Sequence, residues 1–342
     1  MITDETPSPT SKPELPALAP AVRRVHPAYW VVSLTLAAAL LYWSLRGIEW
    51  ARVAAILSTA RLPYVALAMA LTSIAMFLRA VRWRVLLTAR KRVSVSTAFW
   101  ATAAGYFGNN FLPARAGEIV RTMMVSSRSA LGRTFVFTTA MAERMVDAVA
   151  LVIISAAVLA VLPEKPVWLI KAMRVFGVVG AVGIIGIIAI PKLERLWKYS
   201  LERTPMPDVV RSRVSYLLDQ VLLGIRSFHD VGRVAGFVAL TIVIWFIDAT
   251  FTVVGGRALG LAIDLRVAFL LIAGLGLGSA LPSTPGYVGI YQFVAVTVLV
   301  PFGLSRTDAI AYILFAQALM YVVVSLWGVT ALTRFRRPDA KG

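Results

Sequence analysis

The chain alternates long apolar runs with short basic segments. Six runs approach the ~20 residues that an α-helix needs to cross a bilayer. Two further apolar regions are interrupted by proline and glycine, so each half covers only about half to two-thirds of the hydrocarbon. The predicted spans are 28–45, 63–87, 133–162, 167–190, 233–254 and 306–333, and the interrupted regions are 94–127 and 266–300. The pattern predicts an all-α polytopic membrane protein with about six full spans and two helical hairpins.

Basic residues decide the predicted orientation, because Lys and Arg accumulate in cytoplasmic loops. They cluster in segment 79–94, between the fourth and fifth spans, and at the C-terminus. All three clusters share one side only if each interrupted region returns to the side from which it entered. We therefore expect two re-entrant hairpins of opposite orientation, and both termini on the cytoplasmic side of the inner (plasma) membrane.

Composition and amphipathicity divide the chain further. Residues 1–22 are rich in Thr, Ser, Pro and Glu, which predicts a disordered tail. Apolar residues in 208–230 recur every three or four positions, which predicts an amphipathic helix on the cytoplasmic interface. The predicted organisation is a tail 1–22, a transmembrane domain 23–334 with halves 28–162 and 167–333, a cytoplasmic segment 191–232 that joins the halves, and a basic tail 335–342.

The two interrupted regions resemble each other. Four positions align without a gap, namely Gly105 with Gly274, Leu112 with Leu281, Pro113 with Pro282 and Gly117 with Gly286. Proline lacks an amide hydrogen and glycine permits a tight turn, so each unit predicts two half-helices that meet at a break. Inverted repeats with broken helices are typical of secondary transporters, whose site lies near the membrane midplane. The alternative is a proline kink in an ordinary membrane helix.

Charged residues within the apolar regions are the strongest chemical signal. A central charge costs roughly 2.5–3.5 kcal/mol on insertion scales, so such residues pair or line a polar path. They are Arg115, Glu118, Arg121, Glu143, Arg144, Asp147 and Asp248. Glu143 and Asp147 share a helix face, whereas Arg144 lies about 100° around the helix from Glu143, where it could reach the neighbouring hairpin. The two acids are candidates for a proton relay, for binding a cationic headgroup, or for pairing with Arg144.

The residues at the breaks leave similar alternatives open. Arg115 is a candidate phosphate ligand, because guanidinium binds phosphate in a bidentate manner, or a structural partner of an acid. Asn109 and Asn110 either bind a headgroup or satisfy backbone groups at the break. Amides at a helix start after Gly117 or Gly286 attract an anion. Asp248 is alone on its helix, where it is a candidate counter-ion.

Composition excludes several classes of function. The chain is 59% hydrophobic and only 15% charged, far from a soluble domain. Its net charge of +18 follows from basic loops rather than from nucleic-acid binding. There is no cysteine and there are two histidines, which excludes thiolate chemistry and histidine-rich metal sites. No Walker A sequence is present, so we expect no cofactor and no direct use of ATP.

Several motifs in combination resemble the flippase-like membrane domain of the lysyl-phosphatidylglycerol synthase family. They are Arg79-x-x-Arg82-Trp83-x-x-Leu86-Leu87, Gly108-Asn109-x-x-Leu112-Pro113-x-Arg115-x-Gly117-Glu118-x-x-Arg121, Glu143-Arg144-x-x-Asp147 and Pro282-x-x-Pro285-Gly286-x-x-Gly289. In bifunctional members that domain moves aminoacylated phosphatidylglycerol to the outer leaflet, and a separate soluble domain makes the lipid. This chain ends at Gly342, which implies a stand-alone member. In the family, an acidic residue is common after the last proline-glycine motif, where this chain has Tyr291-Gln292. The second hairpin therefore lacks an acid, which makes a purely cationic headgroup less secure as the substrate.

We therefore expect a lipid translocase that is not an enzyme, driven by an ion gradient or a downhill lipid gradient. Its partners would be membrane lipids, either anionic or zwitterionic phospholipids or polyprenyl-phosphate-linked lipids, with no nucleic acid; homo-oligomerisation stays open. The candidate substrate-binding residues are Asn109, Asn110, Pro113, Arg115, Gly117, Glu118, Arg121, Glu143, Arg144, Asp147, Pro282, Pro285 and Gly286. The alternatives are an intramembrane lipid-linked transferase, with Glu118 or Glu143 as general base, and an accessory subunit of a lipid-biosynthetic complex.

Overall fold

A computed structural model describes residues 27–112, 116–161, 192–204, 207–226, 230–279 and 285–335, with scattered positions between 170 and 189. Regular structure within these residues is helical. The helices are α1 Pro27–Leu45, α2 Trp50–Ser58, α3 Leu62–Leu87, α4 Val95–Phe111, α5 Gly117–Ser129, α6 Arg133–Val161, α7 Glu194–Arg203, α8 Asp208–Arg226, α9 Val231–Ala258, α10 Leu265–Gly278, α11 Ile290–Leu299 and α12 Arg306–Phe335. Short 3-10 turns lie at Pro285–Tyr287 and Val300–Phe302.

Side-chain caps mark where several helices begin. The Ser94 hydroxyl accepts a hydrogen bond from the Thr97 amide at 3.0 Å before α4. Asp230 and Asp264 accept amide hydrogen bonds of 2.8 Å at the starts of α9 and α10. These caps satisfy amides that have no partner within the helix, so the chain has a defined turning point before each helix.

The helices agree with most of the predicted spans. Within the described residues, α3, α9 and α12 are long and apolar enough to cross a membrane. Helices α1 and α6 occupy the first and third predicted spans, and α6 carries the predicted buried charges. Most of the predicted span 167–190 lies outside the described residues. The short helix α2 was not predicted; it packs against α12, where Arg52 pairs with Asp308 at 3.1 Å.

Both interrupted regions form two separate helices, as predicted. Helices α4 and α5 pack against each other, and so do α10 and α11. Helix α11 has 10 residues and α10 has 14. At 1.5 Å per residue these helices are about 15 and 21 Å long, too short to cross ~30 Å of hydrocarbon. The segment Pro285–Tyr287 at the second break contacts α4, so the two broken regions meet inside the bundle.

The α4–α5 and α10–α11 pairs start near opposite ends of α3. The Arg84 guanidinium at the C-terminal end of α3 donates to the Val93 carbonyl just before α4, at 2.5 Å. At the other end, the Arg61 amide before α3 donates to the Ala258 carbonyl at 2.9 Å, shortly before α10 begins. Helix α11 leads within a few residues to the start of α12, whose C-terminal Phe335 carbonyl accepts from Arg128 of α5 at 3.3 Å. The α4–α5 pair therefore starts from one end of the bundle and the α10–α11 pair from the other.

Helix α8 occupies most of the predicted amphipathic segment 208–230, of which positions 227–229 lie outside the described residues. It packs against α6 and buries Leu222 and Ile225. A Cβ atom on Gly224 would lie 2.6 Å from the Thr138 side chain, so the glycine permits this close packing. The location of α8 on the cytoplasmic interface stays a prediction.

Candidate functional site

A cavity of about 380 Å³ lies where the two broken regions meet α3, α6, α9 and α12. This volume is within the range of ~300–1,000 Å³ that is usual for sites of small molecules. Its charged lining residues are Arg79, Arg82, Glu118, Arg144, Asp147 and Asp248. Its apolar lining residues include Leu151, Ile272, Leu277, Ile313 and Met320. The cavity thus offers charge and hydrocarbon surface side by side.

Three arginines and three carboxylates form a closed ring of ion pairs beside this cavity. The ring runs through Arg82, Glu143, Arg121, Glu118, Arg144 and Asp147, and back to Arg82. Arg82 joins two acids of α6: its Nη2 lies 2.9 Å from Glu143 Oε1, and its Nη1 lies 2.6 Å from Asp147 Oδ1. The same guanidinium donates to the Thr241 hydroxyl of α9 at 3.1 Å. Arg82 therefore ties α3, α6 and α9 together.

The other two arginines complete the ring through the first broken region. Arg121 Nη1 lies 3.0 Å from Glu143 Oε2, and its Nε lies 2.5 Å from Glu118 Oε2. Arg144 Nε lies 3.1 Å from Glu118 Oε1, and its Nη1 lies 3.9 Å from Asp147 Oδ2. Positive and negative charges are equal in number, which limits the cost of placing six charged groups inside a helix bundle.

The ring has a sealed side and an open side. The side chains of Arg82, Glu143 and Arg121 are only 2%, 2% and 3% exposed. The Arg144 side chain is 29% exposed and lines the cavity. Arg144 is therefore the ring arginine with the most access to a molecule in the cavity.

Aromatic rings hold the two sealed guanidinium groups. The Arg121 guanidinium lies over the Trp83 ring, 4.5 Å from its centroid, and that of Arg82 lies over Phe237 at 4.9 Å. The Trp83 indole in turn donates to the Thr139 hydroxyl of α6 at 3.2 Å. Stacking adds attraction to the charged contacts and fixes the plane of each guanidinium.

A second ion pair lies in the cavity wall outside the ring. Arg79 of α3 pairs with Asp248 of α9, and both side chains are about one-fifth exposed. Arg79 and Arg82 were counted with the basic segment 79–94, but they lie within α3, which continues to Leu87, and their side chains pair with acids inside the bundle. Asp248 is the only acid of α9, and its partner Arg79 lies on the neighbouring helix α3.

The second break has a polar network without charge. The Gly286 carbonyl accepts from Gln317 Nε2 at 3.1 Å and from the Tyr321 hydroxyl at 2.8 Å. Gln317 Oε1 accepts from Gln292 Nε2 at 2.7 Å, and Gln292 Oε1 accepts from the Gly289 amide at 2.8 Å. This network was not predicted, because its partners come from separate helices. It satisfies backbone groups that the break would otherwise leave open.

Residues 30–328 match the family model for the lysylphosphatidylglycerol synthase TM region. The match covers most of the chain, including all residues of the ring and all residues that line the cavity. The chain belongs to this family. Among curated proteins and among solved structures, none matches the chain.

Membership in the lysylphosphatidylglycerol synthase family confirms the sequence resemblance and makes the chain a membrane protein with a function related to membrane lipids. Five of the candidate site residues meet in the ring, namely Glu118, Arg121, Glu143, Arg144 and Asp147. Pro113, Arg115 and Pro282 lie outside the described residues. Of those at the first break, Asn109 donates to Glu118 Oε1 at 3.5 Å, and Asn109 and Asn110 line the cavity.

Glycine is needed at the two breaks for different physical reasons. Gly286 has a φ of +73°, as expected for a tight turn that disfavours L side chains, and it follows Pro285 in the 3-10 turn. Gly117 was also predicted to permit a turn, but it has no positive φ. A Cβ atom there would lie 1.9 Å from the Gly105 carbonyl oxygen and 2.7 Å from the Asn109 amide nitrogen. Gly117 is therefore needed for the close approach of α5 to α4.

We expect Gly117→Ala to lower the stability of the protein strongly, because the added methyl group would push α5 away from α4. Overpacking in a well-packed core costs typically about 1–3 kcal/mol. Thermal unfolding in detergent measures this loss. The matched control is Gly236→Ala in α9, where an added Cβ would meet nothing within 4 Å. Equal unfolding temperatures for the two variants would contradict the α4–α5 contact.

Proposed function

We propose that this protein is a lipid translocase, which moves a phosphate-bearing lipid between the leaflets and leaves it chemically unchanged. The observation that carries this proposal is the composition of the cavity. Ion-paired arginines and apolar side chains line one cavity inside a bundle of membrane helices. The arginines suit a phosphate-bearing lipid headgroup, and the apolar side chains suit its acyl chains. Family membership supports the assignment, since it relates the chain to membrane lipids.

Two arginines are placed to hold the phosphate. Arg144 and Arg79 line the cavity with 29% and 21% of their side chains exposed. Guanidinium binds phosphate through two parallel hydrogen bonds. A phosphate that reaches Arg144 would compete with Glu118, which keeps Arg121 as a second partner at 2.5 Å. The exchange of partners within the ring would let the headgroup enter and leave without stranding a buried acid.

The orientation proposal follows from the two broken regions. We take the α4–α5 and α10–α11 pairs as re-entrant and opposite, with both termini on the cytoplasmic side. Basic residues near the C-terminal end of α3 support this orientation. Headgroups would then cross where the two breaks meet, with an ion gradient or a downhill lipid gradient as the driving force.

Single-cysteine labelling tests this orientation, since the chain has no native cysteine. Arg61→Cys, before α3, should react with an impermeant reagent added outside, and Lys91→Cys should not. Phe111→Cys, at the end of α4, should also stay unlabelled, because a re-entrant pair does not reach the outer surface. Labelling of Phe111→Cys at the rate of Arg61→Cys would mean that α4 and α5 cross the whole membrane.

Lipid movement itself is measured in proteoliposomes that hold the purified protein and a labelled phospholipid. We expect the label in the protected leaflet to become accessible to an added quencher faster than in protein-free liposomes. Mass spectrometry of the recovered lipid separates a translocase from a transferase, because a transferase changes the lipid mass. Movement no faster than in protein-free liposomes for every phosphate-bearing lipid would overturn the proposed function.

A further inference from the structure

One part of the cavity wall is polar but carries no charge. It comes from the second break, from α11 and from α12, whereas the arginines and acids come from α3, α5, α6 and α9. We call it the neutral wall, and define it by Tyr287, Tyr291 and Gln317. Because both parts line the same cavity, a molecule that fills the cavity would contact both the arginines and the neutral wall.

Gln317 is held in one orientation and still has hydrogen-bonding capacity. Its Nε2 donates to the Gly286 carbonyl and its Oε1 accepts from Gln292. An amide group has two N–H donors and two acceptor positions, so one of each is left after these bonds. Gln317 lines the cavity, so a ligand that reaches its side-chain amide would have one donor and one acceptor position to bind. Hydroxyl groups, which both donate and accept, match this pair.

Tyr287 and Tyr291 form a parallel stack on the same wall. Their ring centroids are 5.0 Å apart and the planes differ by 9°. No ligand fits between rings at this distance, so the stack offers a flat aromatic surface. A cage for a quaternary ammonium group needs aromatic faces around the cation. A flat surface beside a hydrogen-bonding amide suits the C–H face of a polyol or sugar.

The acids of the cavity are already engaged. Within the described residues, Glu118 and Asp147 contact arginines of the ring, and Asp248 contacts Arg79. A cationic headgroup would have to displace an arginine, and the displaced guanidinium would then lose its partner at membrane depth. The neutral wall contains no acid that could bind the cationic headgroup instead.

From these features we infer that the cavity takes a lipid headgroup that is uncharged and hydroxyl-bearing beyond its phosphate, such as a glycerol, inositol or sugar phosphate. The phosphate lies at Arg144 and Arg79, and the hydroxyl groups lie at Gln317 and the tyrosine stack. This inference rests on the proposed function for its biological meaning. It concerns binding, which is measured separately from movement.

Native mass spectrometry of the whole protein tests the inference by competition. The detergent-solubilised protein is incubated with equal amounts of phosphatidylglycerol, phosphatidylinositol, phosphatidylcholine and lysyl-phosphatidylglycerol, all with the same acyl chains. We expect the first two to be retained about tenfold more than the last two, the ratio that one good polar contact sets. Equal retention, preference for either cationic group, or no retained lipid would each overturn the inference.

Variants of the neutral wall decide whether it is the origin of the preference. Tyr287→Leu removes the aromatic surface and should abolish the preference, whereas Tyr287→Phe keeps the stack and should retain most of it. Tyr42→Leu is the matched control, because Tyr42 lies on α1 and is 71% exposed. An unchanged preference in Tyr287→Leu would overturn the inference. Should Tyr287→Leu fail to fold, Gln317→Glu decides, because the added acid should shift retention toward lysyl-phosphatidylglycerol.

The same four lipids in proteoliposomes separate this inference from the proposed function. If none of them moves while phosphatidylglycerol and phosphatidylinositol are retained, the translocase proposal fails for these lipids and the headgroup inference stands. If all four move at equal rates and are equally retained, the translocase proposal stands and the headgroup inference fails.

Discussion

Replacing Arg82 with glutamine should lower the free energy of unfolding by about 3–5 kcal/mol, the usual cost of removing one partner of a buried ion pair. Arg82 is 2% exposed and has carboxylate oxygens of Glu143 and Asp147 within 2.9 Å. Glu143 would keep Arg121, but among the described residues Asp147 would keep only Arg144 as an ion-pair partner, at 3.9 Å. The variant leaves an acid nearly unpaired in the interior, and this penalty is larger than the loss of the contacts themselves.

Thermal unfolding in detergent measures this effect, with Arg52→Gln as the matched control. Arg52 also pairs with an aspartate, Asp308, but its side chain is 52% exposed, so we expect a change of at most about 1 kcal/mol. The double variant Arg82→Gln/Asp147→Asn should recover part of the lost stability, because the second change removes the unpaired charge. If Arg82→Gln unfolds at the temperature of Arg52→Gln, the ring is not a stabilising element.

The acids of the ring could be predicted from the sequence because their signal is local. Glu143 and Asp147 are four residues apart on an otherwise apolar helix, which places them on one face. Arg144 was expected to turn toward the first broken region, and its guanidinium does contact Glu118 and Tyr106 there. Helical periodicity alone fixes these directions.

The partner of those acids was missed because its sequence context is ambiguous. Arg82 is close to Arg84, Arg90 and other basic residues, so it was counted with a cytoplasmic cluster. The predicted span 63–87 itself could have indicated their location, because its apolar pattern continues to Leu87 and so includes Arg79 and Arg82. A helix that carries arginines five and eight residues before its end must give them partners. Which acids those are depends on how α6 and α9 pack against α3, and this is not encoded in local periodicity.

The second break shows the same division between local and tertiary information. The positive φ of Gly286 was anticipated from the residue type. The hydrogen bonds from Gln317 and Tyr321 to its carbonyl were not, because these residues lie more than 30 positions away on α12. Polar residues in an apolar helix indicate a buried partner, but they do not name it.

Replacing Arg144 with glutamine should abolish lipid movement while leaving most of the stability in place. Arg144 differs from Arg82 in two respects: its side chain is 29% exposed to the cavity, and the acid it contacts most closely, Glu118, keeps Arg121 at 2.5 Å. The change therefore leaves no acid without a guanidinium partner, because Asp147 keeps Arg82 at 2.6 Å. It does remove the ring arginine that a phosphate in the cavity reaches first.

The measurement is leaflet exposure of a labelled phospholipid in proteoliposomes, run beside thermal unfolding in detergent. We expect the rate to fall at least about tenfold, the effect of losing one charge-assisted contact to phosphate. Arg144→Lys should recover part of the rate, since it restores the charge but not the bidentate geometry. Arg144→Gln/Glu118→Gln should not recover it, because the phosphate ligand is still missing. Full movement in Arg144→Gln would make Arg144 a structural partner only, and the phosphate would then have to bind at Arg79.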